Sequence, residues 1–224
     1  MGLFTPEQNA TIGAAISKAE TATDGEIMVI AAPQSDAYHD VALHWAILAM
    51  LLALALIATF PDFYFGLIDT LAGGWQHRWT PREYLTLALV VAVLKFLAVR
   101  LILAWRPLRI LLTPRATRAR RVRRKAIELF RTGIEHRTAS RSGVLLYLSL
   151  AEHRAEIVAD EAIHARVAPE IWGRAMASLV DALHEDRPAD GVKDAIGHIG
   201  AVLAGVLPRT GKDPDELPDR IIEL

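Results

Sequence analysis

Two long apolar stretches constrain the fold of this 224-residue chain more than any other feature. Residues 41–60 read VALHWAILAMLLALALIATF, with His44 as their only ionisable residue, and residues 84–105 read YLTLALVVAVLKFLAVRLILAW. A helix of about 20 residues spans the roughly 30 Å hydrocarbon core of a bilayer. A helix of a soluble domain normally keeps a polar face, and the first stretch has none. We therefore predict a transmembrane hairpin, with one helix over 41–60 and a second over 84–105.

Two basic residues lie inside the second predicted span. Arg100 is close enough to the Trp105 end for its side chain to reach the headgroups. Lys95 is near the middle, where a charge costs about 2.5–3.5 kcal/mol on insertion scales. We favour a snorkelling or helix-contact role for Lys95. A role in transport stays open, but it would require several copies of the chain to assemble around a pore.

The positive charges on either side of the hairpin predict its orientation. The linker 61–83 is short, contains the turn residues Gly66, Gly73 and Gly74, and has two basic residues. The flank that follows the second span has nine Arg or Lys residues and no acidic residue between positions 106 and 125. Because cytoplasmic flanks are enriched in positive charge, we expect 61–83 to be an extracytoplasmic loop and both termini to be cytoplasmic. The composition contains no cysteine, so thiolate metal sites and disulfides are excluded.

The basic flank itself predicts an amphipathic juxtamembrane helix over residues 106–138. Its basic stripe consists of Arg115, Arg118, Arg121, Arg124 and Lys125. Such a stripe can hold the topology, attract anionic lipid headgroups, or bind nucleic acid. We favour the first two, because the stripe follows directly on a membrane span and lacks interleaved aromatic residues for base stacking. The chain as a whole has a net charge of −1, which also gives no general attraction for nucleic acid.

The remaining segments predict one α/β domain that the hairpin interrupts. Residues 1–40 contain a capped helix after Thr5 and a β-rich run, EIMVIAA, over 26–32. Residues 139–224 contain the apolar run GVLLYLSL, a second strand AEIVA, and two amphipathic helices that begin near Pro169 and Pro188. We expect a mixed β-sheet flanked by helices, in which the first strand joins the strands of the second half.

Three of these segments resemble bacterial membrane proteins of the TPM domain family. They are ISKAETATDGEIMVIAAPQSDAY, SGVLLYLSLAEHRAEIVADEAI and DELPDRIIEL. The resemblance implies a central mixed sheet between helices. It also implies two activities found in some members, acid phosphatase activity and the binding of a divalent metal through acidic residues near the sheet edge.

Acidic residues around the predicted β-hairpin are the candidate metal ligands, namely Glu152, Asp160 and Glu161. Carboxylate oxygens suit Ca²⁺ or Mg²⁺. Asp24 and Glu26 can approach the same edge of the sheet. The simpler interpretation is a solvated hairpin end, which we favour.

The sequence therefore predicts an integral protein of the bacterial inner membrane with a cytoplasmic, TPM-like domain. We favour a binding or scaffold role toward a protein partner that the sequence does not identify. The alternative is a metal-dependent phosphatase. No phosphate-binding glycine loop, nucleophile elbow or HExxH motif supports another enzyme class.

Overall fold

The computed structural model describes residues 2–71, 79–133, 142–210 and 217–224. These residues divide into two compact units, Met1–Ala37 with Pro114–Leu224 and Tyr38–Thr113. The first unit is thus assembled from both ends of the chain, as the sequence predicts. The elements in chain order are α1 Pro6–Glu20, β1 Glu26–Ala32, α2 His39–Thr59, α3 Pro61–Leu71, α4 Pro81–Ile102, α5 Arg106–Leu111, α6 Arg115–Gly133, β2 Gly143–Ser149, β3 Arg154–Ala159, α7 Glu161–His164, α8 Pro169–His184, α9 Pro188–Val206 and β4 Ile221–Glu223.

The first unit is built on a four-stranded mixed sheet in the order β3-β2-β1-β4. The central strand β1 pairs in parallel with β2, where Glu26 lies opposite Gly143, and in parallel with β4. Strand β3 pairs antiparallel with β2 and forms one edge. The prediction of a mixed sheet flanked by helices, with the first strand completing the second half, is confirmed.

The sheet is buried on both faces, which explains why β1 and β2 are continuously apolar. On one face the strands pack against α1, α8 and α9; the buried residues include Ile12, Ile16, Ile27, Val29, Val144, Leu146, Leu179, Ile196 and Ile199. On the other face they pack against α6; the buried residues include Met28, Ile30, Leu145, Tyr147, Val122, Ala126 and Phe130. The apolar face predicted for the basic helix is therefore the face that covers the sheet.

Local signals position the helix ends. The Thr5 side chain accepts a hydrogen bond from the Gln8 amide, and the Gln8 side chain accepts one from the Thr5 amide. These two bonds form a capping box at the N-terminus of α1, where the sequence predicts a cap. Thr80 and Glu83 form a second capping box at α4, with Pro81 in its first turn. The C-terminal residues Ile221, Ile222 and Glu223 extend the sheet as β4.

In the second unit, two helices are long and apolar enough to cross a membrane, His39–Thr59 and Pro81–Ile102. Only 17% of the apolar part of α2 and 6% of that of α4 is buried. The two helices pack together, and the buried positions along them include the small residues Ala42, Ala46 and Ala92. Small residues of this kind let helix backbones approach closely in membranes.

The segment between the two spans differs from the predicted turn-rich loop. Residues 61–71 form the helix α3, with Gly66 inside it, because Pro61 and the aromatic run after it favour a first turn over a bend. The rings of Phe65, Trp79 and Tyr84 cluster, with centroids 5.0 Å and 4.2 Å from that of Phe65. Gly73 and Gly74 lie outside the described residues.

The predicted juxtamembrane helix is two helices rather than one. The helix is interrupted between Leu111 and Arg115, where Pro114 has no backbone N–H to donate. In α5, Arg109 is buried and its Nη1 lies 2.9 Å from His39 Nδ1. This member of the basic run is therefore packed inside the second unit. Residues 134–138 of the predicted segment lie outside the described residues.

Candidate functional site

Glu152 lies in the turn between β2 and β3 and is buried. One carboxylate oxygen, Oε1, accepts a hydrogen bond from the Ser35 amide at 3.0 Å. The other, Oε2, accepts one from Ser149 Oγ at 2.5 Å. The carboxylate therefore satisfies donors from the ends of both central parallel strands, since Ser35 follows β1 and Ser149 closes β2.

Two further hydroxyls complete this polar cluster, and the sequence analysis missed them. Ser35 Oγ lies 2.9 Å from the Tyr147 hydroxyl and 2.8 Å from Ser149 Oγ. Burial raises the pKa of Tyr147, although its hydrogen bonds to the two serines act in the opposite direction. The sequence does contain a pattern that indicates this cluster: Tyr147 and Ser149 lie on the same side of an otherwise apolar strand.

Asp160 lies at the opposite end of the hairpin from Glu152. It is buried, and its Oδ2 accepts a hydrogen bond from the Gly143 amide at 2.9 Å. The six residues of β3 separate the two carboxylates by about 20 Å, at roughly 3.3 Å per residue. Glu161 is exposed at the start of α7, next to Asp160.

The structure therefore does not bring the three candidate metal ligands together. Closeness in sequence was misleading because the extended strand β3 lies between the two carboxylates and places them at opposite ends of the sheet. Glu26 lies at the Asp160 end of the sheet, opposite Gly143, and not at the Glu152 end. Among the described ranges, no group of three or more His, Asp or Glu side chains is arranged to hold a metal ion.

A separate acidic recess lies beside the start of β1 and was not predicted. It has a volume of about 220 Å³, and its lining includes Glu20, Asp24, Glu26, Arg209 and Asp219. Burial raises the pKa of Glu20 to about 9; a hydrogen bond from the Ile27 amide opposes this shift, and the carboxylates of Asp219 and Glu26 add to it. Asp24 accepts hydrogen bonds from the Thr210 amide at 2.9 and 3.0 Å.

The basic stripe of α6 is only partly presented to solvent. Arg115 and Arg124 are exposed, whereas Arg118, Arg121 and Lys125 are half-buried at the border with the sheet-facing side. Arg121 is bound to Asp36 at 2.9 Å, and Lys125 lies 3.3 Å from Glu128. All five residues of the stripe lie on α6, and the position of the buried face decides which of them are available.

The exposed basic surface, which we call the arginine recess, shares Arg124 with the predicted stripe and otherwise uses different arginines of α6. It is a surface cavity of about 540 Å³ along α6. Its lining includes Arg120, Arg123, Arg124, Ile127 and Arg131. All four arginines are exposed. The guanidinium groups surround an aliphatic side chain, so the recess suits an anionic group attached to an apolar body.

The two basic residues predicted within the second span lie on exposed positions of α4. Neither Lys95 nor Arg100 is among the positions through which α4 is buried. The snorkelling or helix-contact role of these two side chains stays a prediction.

Comparisons with known proteins found one family and one solved structure that are similar to this chain. The TPM domain family matches residues 107–202, a little under half of the chain. The NMR structure of BA42 protein from the psychrophilic bacterium Bizionia argentinensis is similar in fold, with a TM-score of 0.56 and 17% sequence identity. The alignment covers 99% of this chain and 96% of BA42. No curated protein sequence matches the chain.

Proposed function

From the TPM domain that residues 107–202 carry, we propose a membrane-anchored binding protein of the bacterial inner membrane. The helices α2 and α4 span the bilayer. The TPM domain lies on the cytoplasmic side and binds a protein partner there. The arginine-rich helix α6 fixes this orientation and contacts anionic lipid headgroups.

The exposed leucines of α2 and α4 carry the membrane part of this proposal. Large apolar side chains cover both helices on the sides that do not face each other; they include Leu48, Leu51, Leu52, Leu85, Leu89, Leu94 and Leu97, each at least half exposed. Each such side chain costs about 1.5–3 kcal/mol when left in water instead of an apolar medium. A bilayer removes this cost for both helices at once.

The charge distribution supports the orientation. Nine basic residues follow α4 between positions 106 and 125, while Arg82 is the basic residue between the spans within the described part of the chain. Retention of such a flank on the cytoplasmic side is the general rule for inner-membrane proteins. Both halves of the TPM domain then fold on that side, since a hairpin returns the chain to its starting surface.

The binding role is supported by what the polar residues do. The carboxylates of Glu152 and Asp160 each accept hydrogen bonds from the domain's own backbone. The arginines around the arginine recess, by contrast, expose their side chains on the surface of α6. Polar groups already engaged inside the fold stabilise it, whereas exposed arginines are typical of contact surfaces.

Topology reporters test the anchor. Fusions of alkaline phosphatase and of green fluorescent protein after Ala32, at Gly74 in the linker between the two spans, and at Leu224 should report cytoplasm, periplasm and cytoplasm in that order. The chain should stay in the membrane after carbonate extraction. A periplasmic C-terminus, or extraction by carbonate, would contradict the proposal.

Affinity capture tests the binding role. The tagged full-length protein is purified from detergent-solubilised membranes, and a variant with its TPM domain destabilised by Asp160→Ala is purified in parallel. We expect a partner that is enriched reproducibly with the native chain and lost with the variant. Equal recovery with both, or no reproducible partner, would count against a binding role.

A further inference from the structure

Among the residues that the structure describes, no strand pairs with the outer side of the edge strand β3. It pairs with β2 on one side only, and the sheet order β3-β2-β1-β4 ends there. It is six residues long and contains no proline or bulge, since its register with β2 is continuous from Val144–Ala159 to Ser149–Arg154. Proline, bulges and covering segments are the usual means of blocking an edge. This edge lacks the first two.

The backbone of β3 presents alternate residues to that open side. The Asp160 amide donates to the Gly143 carbonyl at 3.1 Å, which places this pair in the hydrogen-bonded position of the antiparallel ladder. Counting back by two, Val158, Glu156 and Arg154 also face β2. The amides and carbonyls of the intervening residues, Ala155, Ile157 and Ala159, therefore point away from the sheet.

A cavity of about 340 Å³ follows these outward-facing residues. Its floor includes Ala155, Ile157 and Ala159, and α8 supplies an apolar wall with Trp172 and Met176. The floor side chains are small or half-buried, so the outer backbone remains reachable from this cavity. Helix α6 supplies the opposite wall through Arg123.

Arg123 also lines the arginine recess, so the two cavities share a wall. The β3 edge is consequently bordered by apolar side chains on the α8 side and by a group of exposed arginines on the α6 side. Side chains of a paired strand alternate between the two faces of a sheet. A strand added to β3 would therefore place alternate residues against Trp172 and Met176 and the others toward Arg123.

We propose that β3 binds an extended peptide segment of a partner protein as a fifth strand, in which apolar residues alternate with acidic ones. The outward amides and carbonyls of Ala155, Ile157 and Ala159 supply the main-chain hydrogen bonds. The wall of α8 selects the apolar side chains, and the arginines beside Arg123 select the acidic ones. Strand addition to a free edge is a general mode of peptide recognition. This inference rests on the proposed binding role and identifies its surface.

The charge of the occupant follows from the side chains at the edge. Arg120, Arg123, Arg124 and Arg131 surround the arginine recess, and Glu128 is its only acidic lining residue among the described positions. Glu156 faces α6 and interacts electrostatically with Arg123 and Arg154. The net charge of the α6 side is positive, which favours an acidic segment over a basic one.

A peptide selection tests this proposal with the full-length chain in lipid nanodiscs. The probe is a displayed library of random peptides of about twelve residues, roughly twice the length of β3. We expect the enriched peptides to alternate apolar and acidic residues. A fluorescein-labelled synthetic copy is then titrated against the native chain and four variants by fluorescence anisotropy.

The first pair of variants tests the backbone contact. Ile157→Pro removes the outward amide, and an edge strand tolerates proline where its amide faces solvent. Ile157→Val introduces a side chain with as many carbon atoms as that of proline, but it keeps the backbone amide. We expect binding to weaken about tenfold or more with the proline and to stay within about twofold with the valine. Equal affinities for the two variants would overturn the proposal, provided that both unfold at similar temperatures.

The second pair tests the charge. Arg123→Glu should weaken binding about tenfold, and Arg115→Glu, on the same helix but outside both cavities, should leave it unchanged. Enrichment of basic peptides, or equal loss with both variants, would contradict an acidic occupant. A concentration-dependent dimer that Ile157→Pro abolishes would show that a second copy of the chain occupies the edge, and this too would overturn the proposal.

The outcome is separable from that of the proposed function. If the native chain captures a membrane or cytoplasmic partner and Ile157→Pro captures it equally well, the binding role stands and the β3 edge is not the surface used. If no partner is captured although the selected peptide binds as expected, the edge site stands without the proposed cellular role.

Discussion

Arg121 Nη1 lies 2.9 Å from Asp36 Oδ1, which joins α6 to the segment that follows β1. The two residues are 85 positions apart, with the whole apolar hairpin between them. Both side chains are less than a third exposed, and Arg124 adds a longer contact of 3.6 Å to the same carboxylate. The pair therefore connects the two halves of the interrupted domain on the α6 side of the sheet.

Loss of this pair should destabilise the first unit. We expect Arg121→Ala to lower the free energy of unfolding by about 1–2 kcal/mol, because Asp36 loses a charge-assisted hydrogen bond. The measurement is thermal unfolding of the full-length protein in detergent, with Asp36→Ala and the double variant completing a cycle. Fully additive effects would show that the two side chains do not interact. Arg115→Ala, at an exposed position, is the matched control.

Two glycines of α9 should respond oppositely to alanine. A Cβ on Gly200 would lie 2.6 Å from Ala19 Cβ of α1, so Gly200→Ala should push the helices apart and destabilise the fold by about 1–3 kcal/mol. Gly197 is exposed and a Cβ there would meet nothing within 4 Å, so Gly197→Ala should stabilise α9 by about 0.5–1 kcal/mol. Chemical unfolding monitored by circular dichroism measures both. A stabilising Gly200→Ala would contradict the close approach.

Glu20 should make the domain less stable as the pH rises. Its pKa is raised from 4.5 to about 9, chiefly by burial, so the folded protein holds a proton that the unfolded chain has released between these values. The stabilisation is complete below pH 4.5 and is lost as the pH rises toward 9. Because Glu20 is only partly buried, the slope stays well below the value of about 1.4 kcal/mol per pH unit for a fully buried group.

The variant Glu20→Gln should remove this dependence. Its amide oxygen can still accept the hydrogen bond from the Ile27 amide, now without a charge. We expect the variant and the native chain to unfold at similar temperatures at pH 5, and the variant to be more stable by about 2 kcal/mol at pH 8. Parallel pH profiles for the two proteins would contradict the raised pKa. Glu7→Gln, exposed on the same helix, controls for net charge.

Glu152 should stabilise the fold without metal. Glu152→Ala leaves the buried donors of Ser35 and Ser149 without this acceptor, which costs about 2–3 kcal/mol. In a domain of this size the thermal midpoint should fall by roughly 5–10 °C. Thermal unfolding with and without Ca²⁺ or Mg²⁺ is the measurement. Stabilisation by either ion that disappears in the variant would instead indicate a metal-binding role, as the phosphatase alternative requires.

Much of the local structure was predictable, because it depends on interactions between near neighbours in the chain. The capping box of α1, the limits of β1 and the start of β2 follow from Thr5, Gln8, Pro33 and Gly143. The two apolar helices follow from length and composition alone. The helix α3 was missed, since glycine in the linker indicated turns where an aromatic run formed a helix.

The sequence by itself determined the strands β1, β2 and β3, the helices α1, α8 and α9 and the two long apolar helices, and that the two halves share one sheet. Only the tertiary structure decided which polar groups meet. Glu152 and Asp160 are eight positions apart in the chain but lie at opposite ends of β3, while Arg121 and Asp36 are far apart in the chain and in contact. The physical reason is that backbone preferences act over a few residues, whereas strand direction and the buried face of α6 are set by packing across the whole sheet.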